Sequence, residues 1–545
     1  MHRPALALAS VTMLSLVAFV PGASALPAQE PSPRLAVQAI KWRPCFKTSP
    51  DPDHPEYVRL ECADVQAPLD WKKPNGKKIS LSVSRLKARK QPKGVVFTNP
   101  GGPGYTGWTT PLMFIDAERD RLLDTMDIIG VDVRGTGYST QASCKNLYGR
   151  YLEVRDRSAA NTKRLLADAE KIAKGCQQSG GKQLPSKYVT TAQTVYDLEW
   201  IRRSLKTSRG GKVKKINWIG YSGGTWLGAH YARKWPRSTG RFVLDSVTDF
   251  SSTWRVVFDD QPKGFQKRFG TFASWAAGYD DLYGLGTSQR AVVGRYEKIR
   301  AAISKTGWIQ ITDATGATRY FYPRQLDDLI IKALYSKGSF IGLARDLSLL
   351  NAATLDAQAR TQSRRLSQAV DPTAGEPPTY FNITCNDTPF GRTPAQQAAH
   401  TKKDGARHPL AGYAPITNPC SYWKRPAGQL KLSRPVGRGL PPVLMIHSVN
   451  DPATSYSGAV KAHKAYANSR LITVKNEGDH ALYASGNPCV DRAVERYLID
   501  GVYPGHDGSC QGTPLPVPAG AGARTSPGTP NPLQRLAELS EFTRS

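Results

Sequence analysis

Gly220-Tyr221-Ser222-Gly223-Gly224 constrains this chain more than any other stretch, because the G-x-S-x-G pattern stands between a strand-like and a helix-like run. Ile216-Asn217-Trp218-Ile219 alternates as a short buried strand does, and Thr225 to Arg233 carries helix formers with apolar residues at helical spacing. A strand that turns this sharply into a helix holds the middle residue in a strained backbone conformation and exposes its hydroxyl. Side chains at Gly220 and Gly224 would collide with the neighbouring strand and helix. Ser222 is therefore the candidate nucleophile.

A serine hydroxyl is a poor nucleophile at neutral pH and needs a base, an acid that orients the base, and donors for an oxyanion. Downstream, Val443 to His447 reads as a strand followed by Ser448-Val449-Asn450-Asp451-Pro452, a loop in which Asp451 is the natural acid. Leu471 to Val474 is the next strand-like run, and Asn476-Glu477-Gly478-Asp479-His480 comes after it, which places His480 at the same sheet edge. The order Ser222, Asp451, His480 is that of the α/β-hydrolase arrangement. Asp245, at the end of Phe242-Val243-Leu244, is the rival acid. Asp451 is favoured because Asp-Pro after a strand opens a loop, whereas Asp245 reads as a cap for the segment after it. His463 falls in a surface helix and His506 in a loop between two cysteines, so only His480 has both the preceding strand and the order.

Val95 to Thr98 reads as a strand that runs into Asn99-Pro100-Gly101-Gly102-Pro103-Gly104. A plain turn needs one or two such residues; a longer Gly/Pro run lets backbone N–H groups approach a substrate. Gly102 and Gly223 are the expected oxyanion donors.

These segments carry a resemblance. Ala67-Pro68-Leu69-Asp70-Trp71, Pro74 and the alternating strand Ile79 to Arg85 are followed by Pro100 to Gly104, which is similar to an H-G-G-P-G loop with Pro100 in place of histidine. Asp132 to Ser139 matches D-x-R-G-x-G-x-S, and Asp197 in the helix-like Thr194 to Leu205, the Ser222 turn, Asp451-Pro452-Ala453-Thr454 and the His480 loop come in order. The chain resembles, over roughly residues 40 to 512, the tripeptidyl aminopeptidases, secreted bacterial serine peptidases related to prolyl aminopeptidases within the α/β-hydrolase fold. One departure is Asp479-His480-Ala481 where relatives commonly read Gly-His-Gly. The resemblance implies neighbour pairing of the eight cysteines: Cys45 with Cys62, Cys144 with Cys176, Cys385 with Cys420, and Cys489 with Cys510.

Met1-His2-Arg3, the apolar run Ala5 to Val20 and Ala23-Ser24-Ala25 fit a secretory signal peptide cleaved before Leu26, with no cysteine at the cleavage point to take a lipid. No later stretch approaches the ~20 apolar residues of a membrane span. The cysteines suit an oxidising compartment. No C-x-x-C or H-E-x-x-H occurs, so neither a catalytic metal nor another cofactor is expected.

With 74 Lys and Arg against 44 Asp and Glu, the formal charge is +30. The basic residues are dispersed and form no recognition helix or aromatic-interleaved patch, which argues against a nucleic-acid partner. Weak, salt-sensitive attraction to an anionic cell wall is compatible with this charge.

The expected organisation is a signal peptide over 1–25, a mostly parallel sheet flanked by helices over 26–250 and 436–513, a mostly helical cap over 251–435, and a flexible Pro/Gly/Ala-rich tail over 514–545 with a short helix from Leu533 to Phe542. Helix-like stretches in the cap are Ser288 to Ile303, Arg324 to Tyr335 and Ser339 to Thr361. A cap over an aminopeptidase site must hold the substrate's α-ammonium group, which requires carboxylates. Asp259, Asp260, Asp280, Asp281 and Asp387 are the candidates, and Asp387 is preferred because Cys385 beside it stiffens its segment. The expected activity is removal of tripeptides from the free N-terminus of peptides or proteins through an acyl-enzyme. The alternatives are a prolyl aminopeptidase or carboxylesterase on the same fold, or a non-catalytic cell-wall binder that has kept it.

Overall fold

The computed structural model describes residues 35–519 except 146, 148–151, 179–182, 313–317, 356–375, 425–429 and 431–438, together with 536, 539 and 542. The expected signal peptide, most of the tail and the end of the Ser339 to Thr361 helix lie outside the described residues. Twelve strands are formed among them: β1 (Arg43–Pro44), β2 (Leu60–Pro68), β3 (Lys78–Leu86), β4 (Gly94–Asn99), β5 (Met126–Val131), β6 (Ile216–Tyr221), β7 (Thr239–Asp245), β8 (Ile309–Thr312), β9 (Thr318–Phe321), β10 (Val443–Ser448), β11 (Ser469–Lys475) and β12 (Gly508–Gln511). Ten of them build one sheet in the order β1-β2-β3-β5-β4-β6-β7-β10-β11-β12. Only the β1, β2 and β3 end is antiparallel; from β5 to β12 every pairing is parallel.

The central strands read as unbroken apolar runs because both faces are covered. Phe97, Trp218, Phe242, Leu244 and Met445 enter one buried cluster, while Val96, Ile219, Val243, Leu444 and Ile446 enter the other on the opposite face. Register then fixes where the loops emerge. Asn99 pairs with Gly220, Tyr221 with Asp245, Ile446 with Asp245, and Ser448 with Val474. The segments following β4, β6, β7, β10 and β11 therefore leave the sheet side by side at its carboxyl edge, which is where open α/β sheets bind ligands.

Between β7 and β10 the chain leaves the sheet to form a large, mostly helical cap, with helices Trp254–Ala277, Gln289–Thr306, Pro323–Ala333, Phe340–Leu355, Pro378–Asp387 and Pro394–Arg407 and the β8–β9 hairpin. The side chains of Thr253, Ser288 and Thr393 accept from backbone N–H groups at three of these helix starts, each cap contributing about 1 kcal/mol. The insertion has its own core, in which Phe265, Phe269, Phe272, Tyr296, Leu326 and Leu347 are buried.

Four disulfides join Cys45–Cys62, Cys144–Cys176, Cys385–Cys420 and Cys489–Cys510. They fit an extracellular protein, and no described helix is long and apolar enough to cross a membrane. Two of the sequence marks turn out to be scaffold. Arg134 donates to both oxygens of Asp197 at 2.6 and 2.7 Å, and the Trp71 indole N–H donates to the same carboxylate. Asp132 accepts from the backbone of Gly107 and Trp108 and so tethers the segment downstream of Gly104.

Candidate active site

Ser222 follows β6 with φ 52° and ψ −123° and leads into the helix Gly223–Lys234. A side chain rarely adopts positive φ, and this one is held there by its surroundings. Its N–H donates to Asp245 O, and its carbonyl takes Thr225 N–H, both at 2.9 Å. A Cβ on Gly224 would stand 2.7 Å from Asn99 O, so the helix start lies directly against the end of β4. Nearly every neighbour is buried, yet Ser222 itself keeps partial access.

His480 and Asp451, 29 residues apart in sequence, meet at 2.7 Å between Nδ1 and Oδ2. Both side chains are fully buried. Asp451 Oδ1 accepts the N–H groups of Ala453 and Thr454 at 2.8 Å each. The Thr454 hydroxyl lies 3.0 Å from Asp451 Oδ2 and 3.4 Å from His480 Nδ1. Burial alone would raise the Asp451 carboxyl, but the imidazole and these donors more than offset it and hold it below the ordinary carboxylate value. A second buried histidine, His447, braces this loop: its Nδ1 accepts Val247 N–H at 2.8 Å and its Nε2–H donates to Thr454 O at 3.0 Å.

Asp245, the rival acid, faces elsewhere. Its carboxylate accepts the N–H groups of Leu482 and Tyr483, so it caps the turn after His480. Burial pushes it up to about 6 in spite of those donors. His463 sits in the helix Tyr456–Ala465, between Ser469 and Asp507, and exposed His506 contacts the Asp507 carbonyl.

The loop after β4 packs on the Ser222 turn. A Cβ on Gly223 would lie 3.1 Å from the Gly102 carbonyl carbon, so the backbones carrying the two expected oxyanion donors are in contact. Gly102 has φ +100°, a conformation that glycine adopts at little cost.

Asp479, the departure beside His480, has a visible partner. Its carboxylate takes Arg268 Nη2 at 2.6 Å and the Lys337 backbone N–H at 2.7 Å, both from the cap. Lys337 Nζ pairs with Glu477, and His480 N–H donates to Tyr335 O at 2.9 Å. The histidine loop is thus bonded to the cap through Glu477, Asp479 and the His480 N–H.

The structure gives Asp387 a structural role rather than one in holding the substrate amine. Its oxygens accept Thr191 N–H at 2.9 Å and the Thr191 hydroxyl at 2.6 Å, at the start of the helix Thr191–Ser204, with the indoles of Trp226 and Trp254 alongside. Burial pushes it up to about 6. Asp259 pairs with Arg255 and Arg392, Asp260 accepts from Ser455, and Asp280 accepts from Gly286 N–H. Glu376, two residues before the helix Pro378–Asp387, was not among the carboxylates the sequence singled out. It accepts the Tyr105 hydroxyl at 2.8 Å. Among the described residues no group of three or more His, Cys, Asp or Glu could hold a metal ion.

A family model described as TAP-like protein matches residues 408–510, the segment that carries Asp451 and His480. The tripeptidyl aminopeptidase of Streptomyces lividans is 30% identical over 89% of this chain and 89% of its own length. The serine protease Hip1 of Mycobacterium tuberculosis is 26% identical over 88% of this chain and 92% of its own. Among solved structures, the proline iminopeptidase of Mycobacterium smegmatis aligns with 80% of this chain and 98% of its own at 12% identity and a TM-score of 0.34. The chain belongs to the tripeptidyl aminopeptidase family and is a serine peptidase of the α/β-hydrolase fold.

Proposed function

We propose that the protein is an extracellular exopeptidase that removes tripeptides from free N-termini, with Ser222, His480 and Asp451 as its catalytic triad. The observation that carries this reading is the 2.7 Å contact between His480 Nδ1 and Asp451 Oδ2 at the sheet edge where Ser222 is held at positive φ. With Nδ1–H given to Asp451, Nε2 is the ring nitrogen left to take a proton. Ser222 Oγ attacks the carbonyl carbon of the third residue while its proton passes to His480 Nε2. The carbonyl oxygen becomes negative and is received by the N–H groups of Gly102 and Gly223. The intermediate collapses as the C–N bond breaks, and His480 gives its proton to the leaving amine. Water, deprotonated by His480, then attacks the acyl-enzyme, and as the acyl C–O bond breaks His480 returns that proton to Ser222 Oγ and the tripeptide acid leaves.

Export through the expected signal peptide at residues 1–25 belongs to the same reading, which the four disulfides support. The test compares mature protein and Ser222→Ala on three chromogenic amides: a free tripeptide, its N-acetylated form and free proline. Ser222-dependent release from the free tripeptide alone is expected. Cleavage of the proline amide alone would make the protein a prolyl aminopeptidase. Inactivity on all three with turnover of short esters would make it a carboxylesterase.

A further inference from the structure

The oxyanion loop is joined to a carboxylate in the cap by one side chain. Tyr105 follows Gly104 directly, and its N–H donates to Gly101 O at 3.2 Å, closing the loop on itself. Its ring lies over Gly102, where a Cβ would stand 2.7 Å from Tyr105 Cδ2. Its hydroxyl reaches Glu376 Oε2 at 2.8 Å, across 271 residues of sequence. The next turn of the cap sits on the same loop: a Cβ on Gly104 would stand 2.7 Å from Thr379 Cγ2, and the Thr379 hydroxyl donates to Gly135 O.

Glu376 has surroundings that suit an organic cation. Tyr105, Tyr335 and Tyr380 are the groups nearest to it electrostatically, with Asp328 as a further negative charge. Among the described residues no Lys, Arg or His pairs with it, in a chain that carries 74 Lys and Arg. Tyr105 keeps 44% of its surface accessible. The Tyr105–Glu376 pair is thus open to solvent at the junction of the loop and the cap. Tyr335, one of the tyrosines around Glu376, also meets the His480 ring edge-on with centroids 5.3 Å apart, which puts the carboxylate on the side of the base.

We propose that Glu376 receives the substrate's N-terminal ammonium group and that Tyr105, hydrogen-bonded to it, transmits that occupancy to the oxyanion loop at Gly102. Glu376 determines specificity, and Tyr105 is a positioning residue. An ammonium group on the carboxylate fixes its rotamer, the fixed carboxylate fixes the Tyr105 hydroxyl, and the ring then holds Gly102. A blocked N-terminus gains neither the ion pair nor the ordering. The inference rests on the exopeptidase reading and adds that the oxyanion site responds to the amine.

The test measures kcat and KM for wild type, Glu376→Gln and Tyr105→Phe on a free tripeptide amide and its acetylated form, with thermal melting as the check on folding. In Glu376→Gln the preference for the free amine, as a ratio of kcat/KM values, should fall roughly tenfold or more, the scale of a lost bond to a charged group. In Tyr105→Phe the preference should fall in kcat rather than in KM. A wild-type preference that survives in Glu376→Gln overturns the amine site. A Tyr105→Phe variant that loses the same factor on both substrates, or changes only KM, overturns the link. A wild type indifferent to acetylation refutes the exopeptidase reading together with this inference. If either variant melts early, free and acetylated tripeptide binding to Ser222→Ala by calorimetry decides the amine site: equal affinity overturns it, and tighter binding of the free form supports it.

Discussion

Breaking the contact between Arg268 and Asp479 should cost more than any other single polar change near the site. Arg268 comes from the cap helix Trp254–Ala277 and Asp479 from the residue before the base; their side chains are 3% and 9% exposed and 2.6 Å apart. Burial and the neighbouring Glu477 push the Asp479 carboxyl up, while Arg268 and Lys337 oppose the shift. Removing one partner of a buried pair leaves the other charge without compensation, at about 3–5 kcal/mol. Arg268→Met leaves the carboxylate with the Lys337 N–H as its principal donor, and Asp479→Asn leaves a buried guanidinium. Each single variant should therefore fall in that range. The double variant, with neither charge, should be more stable than the sum of the two losses by about 1–3 kcal/mol. Urea unfolding followed by tryptophan fluorescence gives the cycle, and kcat/KM measured on the same samples should fall with each single change. Single costs below about 1 kcal/mol that simply add would refute the claim that the cap is bonded to the histidine loop through this pair.

Other consequences are smaller or more local. Thr454→Val removes the hydroxyl beside Asp451 Oδ2 and His480 Nδ1, and kcat should fall roughly tenfold with little change in KM, read from initial rates. Glu376 is pushed up to about 7, by burial first and by Asp328. Its charged form, which the ammonium group needs, therefore accumulates as pH rises through about 7. KM for a free tripeptide amide should fall across that interval and rise again above roughly pH 8, where an α-amine loses its proton; Glu376→Gln should flatten the acid side of that KM profile. Asp451→Asn should lower kcat by about 10⁴, while Asp245→Asn, which alters the carboxylate that holds the turn at Leu482 and Tyr483 and accepts the Ser246 hydroxyl, should leave far more activity; equal losses would return Asp245 to candidacy as the acid. Replacing Cys489 and Cys510 by serine opens a loop of sequence separation 21 that ties β12 to the helix Pro488–Glu495, worth about 3 kcal/mol. Activity should then be lost at lower urea than the core fluorescence transition.

The sheet was legible for a physical reason, and so were the loops that carry the candidate site. Strands buried on both faces are unbroken apolar runs, and the chain emerges from each into loops whose residue types are dictated by strain or close approach, as at Ser222 and Gly102. Order along the chain then pointed to Asp451 and His480, whose side chains lie 2.7 Å apart. The amine site proposed at Glu376 was not legible. Asp387 was singled out by adjacency to Cys385, but its partner Thr191 lies 196 residues away and nothing local announces it. Glu376 has no periodic or capping signal, and its contact with Tyr105 exists only once the cap is seated on the loop after β4. Asp479 was noticed as a departure from Gly-His-Gly, but Arg268, which accounts for it, is 211 residues upstream.

The central claim is tested most directly by the products themselves. A decapeptide with a free N-terminus, incubated with the mature protein and followed by mass spectrometry, should yield its N-terminal tripeptide and the matching heptapeptide as first products, and neither with Ser222→Ala. Single amino acids, internal fragments, or the same products from Ser222→Ala would contradict the account.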